Sequence, residues 1–267
     1  MSSTVPLSSA NWRPGLAPAR HSELFASSRE AGGAAAALAL ALDGLQAQGL
    51  DADDRRWLLW VQDRASLRLT GRPYRPGLPP QLRARLVHVA ARSPEDALFA
   101  LEEGLRCREL ACVIGELAGN PRALGLTASR RLSLAAEKHG VPLFLIRHDA
   151  ERDLSSARMR WDIRSAPSSR PRWNEAAPGA PAWQAELFRA RGHRQGQWIL
   201  RNEGGNLVHG PLPVRGEDTK AWPNKGLAEV GEERSALSTA ANPSPNSASS
   251  CGASCAILSP HGERARA

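Results

Sequence analysis

Residues 111–147 constrain the fold most, because they combine two short apolar runs with one helical pattern. The segment begins with ACVIGEL, passes through a turn-rich gap to TASRRLSLAAEKHG, and ends with VPLFLIR. A short apolar run bounded by turn residues is typical of a strand that is buried on both faces of a parallel sheet. The segment therefore predicts a strand–loop–helix–strand unit and an α/β domain whose sheet is flanked by helices.

The rest of the chain divides into a lead-in, a domain and a tail. Residues 1–20 are rich in Ser, Pro and Ala and show no period, so we expect a flexible N-terminal segment. Residues 21–203 form the predicted α/β domain. Residues 204–267 contain few apolar anchors, and such a composition cannot offset its ordering entropy, so they predict a disordered C-terminal tail.

Within the domain, periodicity and capping residues predict the individual elements. Ser93 and Pro94 mark the start of one helix, and Thr127 is the expected N-cap of another at 128–139. The Gly- and Pro-rich residues 63–80 are expected to be a loop. The remaining predicted elements are a helix at 34–48, strands at 21–26, 57–62, 85–90, 111–117 and 158–166, and a closing antiparallel hairpin from 183–191 and 196–202.

The charge indicates an acidic partner. The net charge is +8 and the pI about 10.3, which favours nucleic acid first, although excess arginine also occurs in proteins without such a partner. The four cysteines lack zinc-ligand spacing, so we expect reduced thiols and no metal. No run approaches ~20 apolar residues and no signal peptide is visible, so we expect a cytoplasmic protein with no membrane contact.

One window was tested as a phosphate-binding loop. The sequence ASSREAGG at 26–33 stands between a strand and a helix, but it lacks the Lys and the magnesium-binding hydroxyl. Gly32 and Gly33 could still form a tight turn that attracts anions weakly at a helix N-terminus. Glu116 stands at the carboxyl end of the central strand, where it is either a functional carboxylate or, as we prefer, a cap of the next turn.

Basic and aromatic residues suggest a nucleic-acid surface. Tyr74 lies between Arg72 and Arg75, and it could either stack on a base or cover a sheet edge. The alternation RMRWDIRSA predicts a half-exposed strand with Arg158, Arg160 and Arg164 on one face. Four tryptophans are interleaved with these basic strands, but we expect most of them in the core: Trp161, Trp173, Trp183 and Trp198.

Four sequence blocks, in the same order, resemble the ImuA family, the RecA-like accessory proteins of bacterial SOS mutagenesis. The most distinctive block is LTASRRLSLAAEKHGVPLFLIR at 126–147. The others are SPEDALFALEEGLRCRELACVIGEL at 93–117, SSARMRWDIRSAPS at 155–168 and WQAELFRARG at 183–192. The resemblance covers roughly residues 14–203 and implies a RecA-like, mostly parallel sheet with a C-terminal antiparallel hairpin.

The same resemblance implies that ATPase chemistry has been lost. Arg64 stands where the RecA core has its catalytic glutamate, and an Arg cannot act as a general base at neutral pH. Gly115 replaces the magnesium-binding Asp, with Glu116 one place further on. We therefore expect no enzyme activity and no cofactor, and a vestigial nucleotide site that consists of Gly32, Gly33, Tyr74 and Glu116.

The role implied by the family is a scaffold at damaged DNA. Its expected partners are an ImuB-type Y-family-like protein, an error-prone DnaE-type polymerase subunit and DNA, with nucleoid association when DNA is bound. The expected contact residues are Arg130, Arg131, Arg158, Arg160, Arg189 and Arg191. The last two match a basic pair that reaches the neighbouring subunit's nucleotide in RecA filaments. The DNA loop of RecA is shortened to 148–156, which disfavours filament-type wrapping.

Two alternatives remain open at this point. One is a divergent DNA-stimulated ATPase that would hold nucleotide with Gly32, Gly33 and Tyr74 and magnesium with Glu116. The other is a SulA-like inhibitor of cell division, since that protein is also a RecA relative without a phosphate loop.

Overall fold

A computed structural model describes residues 20–30, 32–47, 55–169, 171, 174, 176–191 and 194–210, and these residues contain one nine-stranded sheet. The strand order across the sheet is β3-β2-β4-β5-β1-β6-β7-β8-β9. The strands are β1 His21–Ala26, β2 Trp57–Gln62, β3 Leu86–Ala90, β4 Leu110–Ala118, β5 Leu143–His148, β6 Met159–Ser165, β7 Ala182–Ala190, β8 Gly196–Glu203 and β9 Asn206–Gly210.

Helices connect and cover the parallel strands. They are α1 Gly32–Ala47, α2 Arg64–Thr70, α3 Pro80–Arg83, α4 Pro94–Arg106 and α5 Leu126–His139, with a 3₁₀ turn at Arg75–Gly77. Ser93 caps α4 as predicted, because its hydroxyl accepts a hydrogen bond from the amide of Asp96 at 3.1 Å. Gly140 ends α5 in the left-handed conformation, with φ of 75°.

The sheet separates two apolar cores. The first six strands of the sheet are parallel, and they are β3, β2, β4, β5, β1 and β6. The last three, β7, β8 and β9, are antiparallel to their neighbours. Helix α1 packs on one face around Leu40, Ile114 and Trp161, while α4 and α5 pack on the other around Leu101 and Leu132. This arrangement confirms the predicted α/β class, the mostly parallel sheet, the flanking helices and the C-terminal antiparallel hairpin.

Two local predictions were wrong. Residues 63–80 are not a loop throughout, because Asp63 accepts a hydrogen bond from the amide of Ser66 at 2.7 Å and starts α2. Helix α5 begins at Leu126 rather than after Thr127, and its N-cap position is Gly125, which has no capping side chain.

The predicted tail boundary was also wrong. Residues 204–210 are ordered as a turn and strand β9, because Gly204 and Gly205 adopt φ of 62° and 93° and reverse the chain after β8. Two glycines between strands are a strong hairpin signal, so this hairpin was predictable from the sequence. The lead-in up to residue 19 and the remainder of the predicted tail, 211–267, lie outside the described residues.

Candidate functional site

The candidate site lies where the carboxyl ends of three neighbouring parallel strands meet. Strands β4, β5 and β1 are adjacent, and their paired ends are Ala118 with His148 and His148 with Ala26. Because parallel α/β sheets bind ligands at the carboxyl ends of their strands, this edge is the candidate site. The sheet brings together Glu116, His148 and the amino end of α1 at Gly32 and Gly33.

Protein donors occupy the Glu116 carboxylate. Its Oε1 accepts a hydrogen bond from Trp60 Nε1 at 2.6 Å, and its Oε2 accepts one from Thr70 Oγ1 at 3.0 Å. His148 Nε2 lies 2.7 Å from the same Oε2, and Glu116 and His148 are both 2% exposed. The carboxylate therefore braces β2, α2 and β5 against each other. The preferred prediction, that Glu116 caps the following turn, was wrong, because its described partners are Trp60, Thr70 and His148.

A second layer of hydrogen bonds fixes this arrangement. Gln62 Nε2 donates to Gly71 O at 2.8 Å, and Gln62 Oε1 lies 2.8 Å from His88 Nε2. Burial, followed by the charge of Arg72, lowers the pKa of His88. The end of α2 is thereby attached to β3 through a single glutamine side chain.

Protein oxygens also accept the hydrogen bonds of three backbone amides in the loop before α1. The amide of Ser28 donates to Asp149 Oδ1 at 2.9 Å, and the amide of Arg29 donates to Ser27 Oγ at 3.2 Å. The amide of Glu30 donates to Ser27 O at 3.2 Å. Hydrogen bonds from Ser28 lower the pKa of Asp149, so a carboxylate anion stands beside this loop at neutral pH. A phosphate would have to displace that anion.

The two glycines of the window are required by packing. A Cβ on Gly33 would lie 2.7 Å from the Cβ of Ala26 and 3.8 Å from Cε1 of His148. A Cβ on Gly32 would lie 3.1 Å from Ser165 Oγ and 3.2 Å from the indole of Trp183. Gly33 therefore lets α1 approach β1 closely, and Gly32 lets it approach β6 and β7, so close packing accounts for both glycines.

Tyr74, the fourth residue of the predicted nucleotide site, is 75% exposed and precedes the 3₁₀ turn. In the part of the chain that the structure describes, no hydrogen bond joins it to Gly32, Gly33 or Glu116. Its exposure leaves the ring open to solvent rather than packed over the sheet edge.

Arg160 is buried, so it does not belong to the predicted DNA- or partner-binding surface. Its side chain is 4% exposed, and its Nε donates to Glu23 Oε2 at 2.8 Å, with Glu23 at 0% exposure. Its guanidinium also lies 5.0 Å from the ring centroid of Phe25. The prediction was wrong because β6 is an interior strand between β1 and β7 and not a half-exposed one.

The other five predicted contact arginines lie at the surface in different states. Arg131 pairs with Glu102, and Arg158 pairs with Glu137 at 2.5 Å. Arg189 is exposed and donates weakly to Ser155 O at 3.4 Å. Two are exposed and have no ion pair with any described residue: Arg130 and Arg191.

The shortened loop after β5 is held in place by several contacts. Asn120 Nδ2 donates to Glu151 O and to Asp153 Oδ2, both at 3.0 Å. Asp153 also pairs with Arg147 at 3.2 Å. Asn120, Asp149 and Asp153 were not predicted as site residues. The contacts of Asn120 with Asp153 and of Asp149 with Ser28 span 33 and 121 residues, so they give no local signal.

The described residues contain neither a candidate metal cluster nor a candidate membrane-spanning helix. Among the described residues, no cluster of three His, Cys, Asp or Glu side chains could hold a metal ion. In the same residues, no helix has the length and apolarity that a membrane span needs.

Similarity to known proteins supports the sequence resemblance. No protein-family profile matches the chain. The chain is 34% identical over 189 residues to Protein ImuA of Caulobacter vibrioides strain NA1000 / CB15N, and the same values hold for Protein ImuA of strain ATCC 19089. The match spans 65% of this chain and 71% of each relative. The chain therefore belongs to the ImuA family, the SOS-mutagenesis accessory proteins that its sequence resembles.

Proposed function

We propose that this protein is a non-catalytic, RecA-like accessory factor of SOS-induced translesion DNA synthesis. It joins an ImuB-type Y-family-like protein and an error-prone DnaE-type polymerase subunit at damaged DNA. The family membership supports the pathway, since both relatives are named ImuA. The protein works through binding surfaces and not through nucleotide turnover.

The observation that carries the non-catalytic part is the state of the loop before α1. Asp149 accepts a hydrogen bond from the amide of Ser28, so a carboxylate lies against the loop where a phosphate-binding protein has free amides. The Glu116 carboxylate is likewise bonded to Trp60, Thr70 and His148. An ATPase at this edge would need free loop amides to bind phosphate and a free carboxylate to bind magnesium. Here the Ser28 amide and the Glu116 carboxylate are hydrogen-bonded to protein atoms.

Co-purification tests the scaffold role directly. Purified full-length protein is mixed with the ImuB-type protein and the polymerase subunit of the same organism, with and without damaged DNA and without nucleotide. We expect a ternary complex that forms without ATP. Absence of binding to the ImuB-type protein at low salt would count against the scaffold role.

Nucleotide titration tests the non-catalytic role. We expect no binding of Mg-ATP up to about 1 mM, the upper end of common substrate affinities, and no phosphate release in the presence of DNA. Micromolar binding, or turnover by purified protein, would instead support a divergent DNA-stimulated ATPase.

A further inference from the structure

One uninterrupted segment of the chain is unusually basic. Residues 64–92 contain seven arginines and no Asp, Glu or Lys. They form α2, the 3₁₀ turn, α3 and β3, at one edge of the sheet. A run of one sign without intervening acids creates a positive potential that attracts polyanions. The arginines are Arg64, Arg68, Arg72, Arg75, Arg83, Arg85 and Arg92.

Four of these arginines are exposed and free of ion pairs. Arg64, Arg68, Arg72 and Arg92 have no acidic partner among the described residues. Arg75 is exposed as well, and its guanidinium donates only to the carbonyl of Leu86, at 3.0 Å. By contrast, Arg131, Arg158 and Arg160 elsewhere in the domain are paired with glutamates. The edge segment therefore carries several exposed arginines, close together in sequence, that have no acidic partner among the described residues.

The fold gathers these arginines on neighbouring elements. Arg64 and Arg68 are one helical turn apart on α2. The Gln62 side chain forms hydrogen bonds with Gly71 at the end of α2 and with His88 on β3. Arg72, which follows Gly71 in the chain, is therefore close to β3. The charge of Arg72, and less so that of Arg75, acts on the His88 ring.

Arg92 joins the same region from the end of β3. The amide of Ala91 donates to Gln62 O at 2.8 Å, which places the start of the next connection beside the start of α2. The acid nearest in sequence, Asp63, is 2% exposed, and its carboxylate is bonded to the amide of Ser66. Its carboxylate is therefore engaged inside the fold, where it caps α2, and it forms no ion pair with these described arginines.

An exposed aromatic ring stands among the arginines. Tyr74 is 75% exposed and lies between Pro73 and Pro76, whose rings restrict the backbone on both sides. An aromatic face on a stiff backbone loses little entropy when a base stacks on it. Base stacking on such rings tolerates any sequence, but it needs an unpaired base, because a duplex covers the base faces.

We propose that the surface formed by Arg64, Arg68, Arg72, Tyr74, Arg75 and Arg92 binds single-stranded nucleic acid. The arginines contact the phosphates and Tyr74 stacks on a base. This inference deepens the DNA-binding part of the proposed function and rests on it. It moves the expected DNA contact from α5, β6 and β7 to the edge of the sheet at β3.

Fluorescence anisotropy with a labelled oligothymidylate tests the site in full-length protein. The test variant is Arg68→Gln/Arg72→Gln. The matched control is Arg108→Gln/Arg122→Gln, which removes the same charge from two exposed arginines that have no ion pair with any described residue. We expect the test variant to lose at least about tenfold in affinity and to flatten the plot of log K against log salt by about 1.4, which is two phosphate contacts. We expect the control to lose less than about threefold. Equal losses in both variants would overturn the proposal.

The tyrosine separates single strands from duplexes. We expect Tyr74→Ala to weaken oligothymidylate binding by about tenfold, Tyr74→Trp to retain it, and neither to change duplex binding. Equal binding of duplex and single strand, together with no effect of Tyr74→Ala, would overturn the assignment. Co-purification of each variant with the ImuB-type protein is measured in parallel. Intact co-purification with no DNA binding by the wild type would refute this site and leave the scaffold role standing.

Discussion

The Arg160–Glu23 pair gives the most direct test of the structure. Arg160→Met keeps much of the side-chain volume but removes the guanidinium. The Glu23 carboxylate, at 0% exposure, is then left with Ser155 Oγ, at 2.6 Å, as its one hydrogen-bond donor among the described residues. Removal of one partner of a buried ion pair typically costs about 3–5 kcal/mol of unfolding free energy. Since domains are stable by only about 5–15 kcal/mol, this is a large part of the total.

Urea unfolding followed by tryptophan fluorescence measures the effect. Arg158→Met is the matched control, because Arg158 pairs with Glu137 at the surface and such pairs contribute only about 0–1 kcal/mol. The double variant Glu23→Leu/Arg160→Met should recover most of the loss, because neither charge of the pair is then left buried without its partner. If Arg160→Met costs no more than Arg158→Met, or lowers DNA affinity without lowering stability, then Arg160 is not the internal residue described here.

Three further outcomes follow from buried groups. Burial lowers the pKa of His21 from 6.5 to about 4, so the unfolded chain takes up a proton first. The unfolding free energy should therefore fall by up to about 3 kcal/mol as the pH drops from 6.5 to 4, and urea titrations of His21→Asn should lose most of that slope. In Glu116→Gln, one carboxylate oxygen becomes an amide NH₂ that cannot accept the hydrogen bond made at that position. The urea midpoint should therefore fall, by an amount equal to about 1–3 kcal/mol of unfolding free energy. An unchanged midpoint would contradict the hydrogen bonds described for Glu116. Gly33→Ala should cost about 1–3 kcal/mol by overpacking, and Ala26→Gly in the same chain should restore the thermal midpoint. A midpoint that stays low in the double variant would show that the Cβ–Cβ contact is not the cause.

Local sequence patterns identified most of the sheet and one helix start. The apolar run WLLWVQ forms β2 over the predicted residues, and Ser93 caps α4 as expected. Such elements are encoded by residues within a few positions of each other, so periodicity and capping rules detect them. Strand β9 was also visible in principle, since Gly204 and Gly205 stand between two strand patterns.

Long-range contacts could not be predicted in the same way. Arg160 alternates with apolar residues and therefore suggested a half-exposed strand, but its partner Glu23 is 137 residues away. Asp149 reaches the amide of Ser28 across 121 residues. Neither pairing leaves a periodic or spacing signal, so the burial of the first and the loop-filling role of the second emerge only from the assembled sheet.

The Asp149–Ser28 hydrogen bond holds an exposed carboxylate beside the loop that precedes α1. A lysine introduced into that loop would have this carboxylate within reach and would form a surface ion pair with it. Deletion of the carboxylate alone would leave the Ser28 amide without its acceptor and would add no cation. A triphosphate site here would therefore need both changes, because neither one supplies what the other lacks.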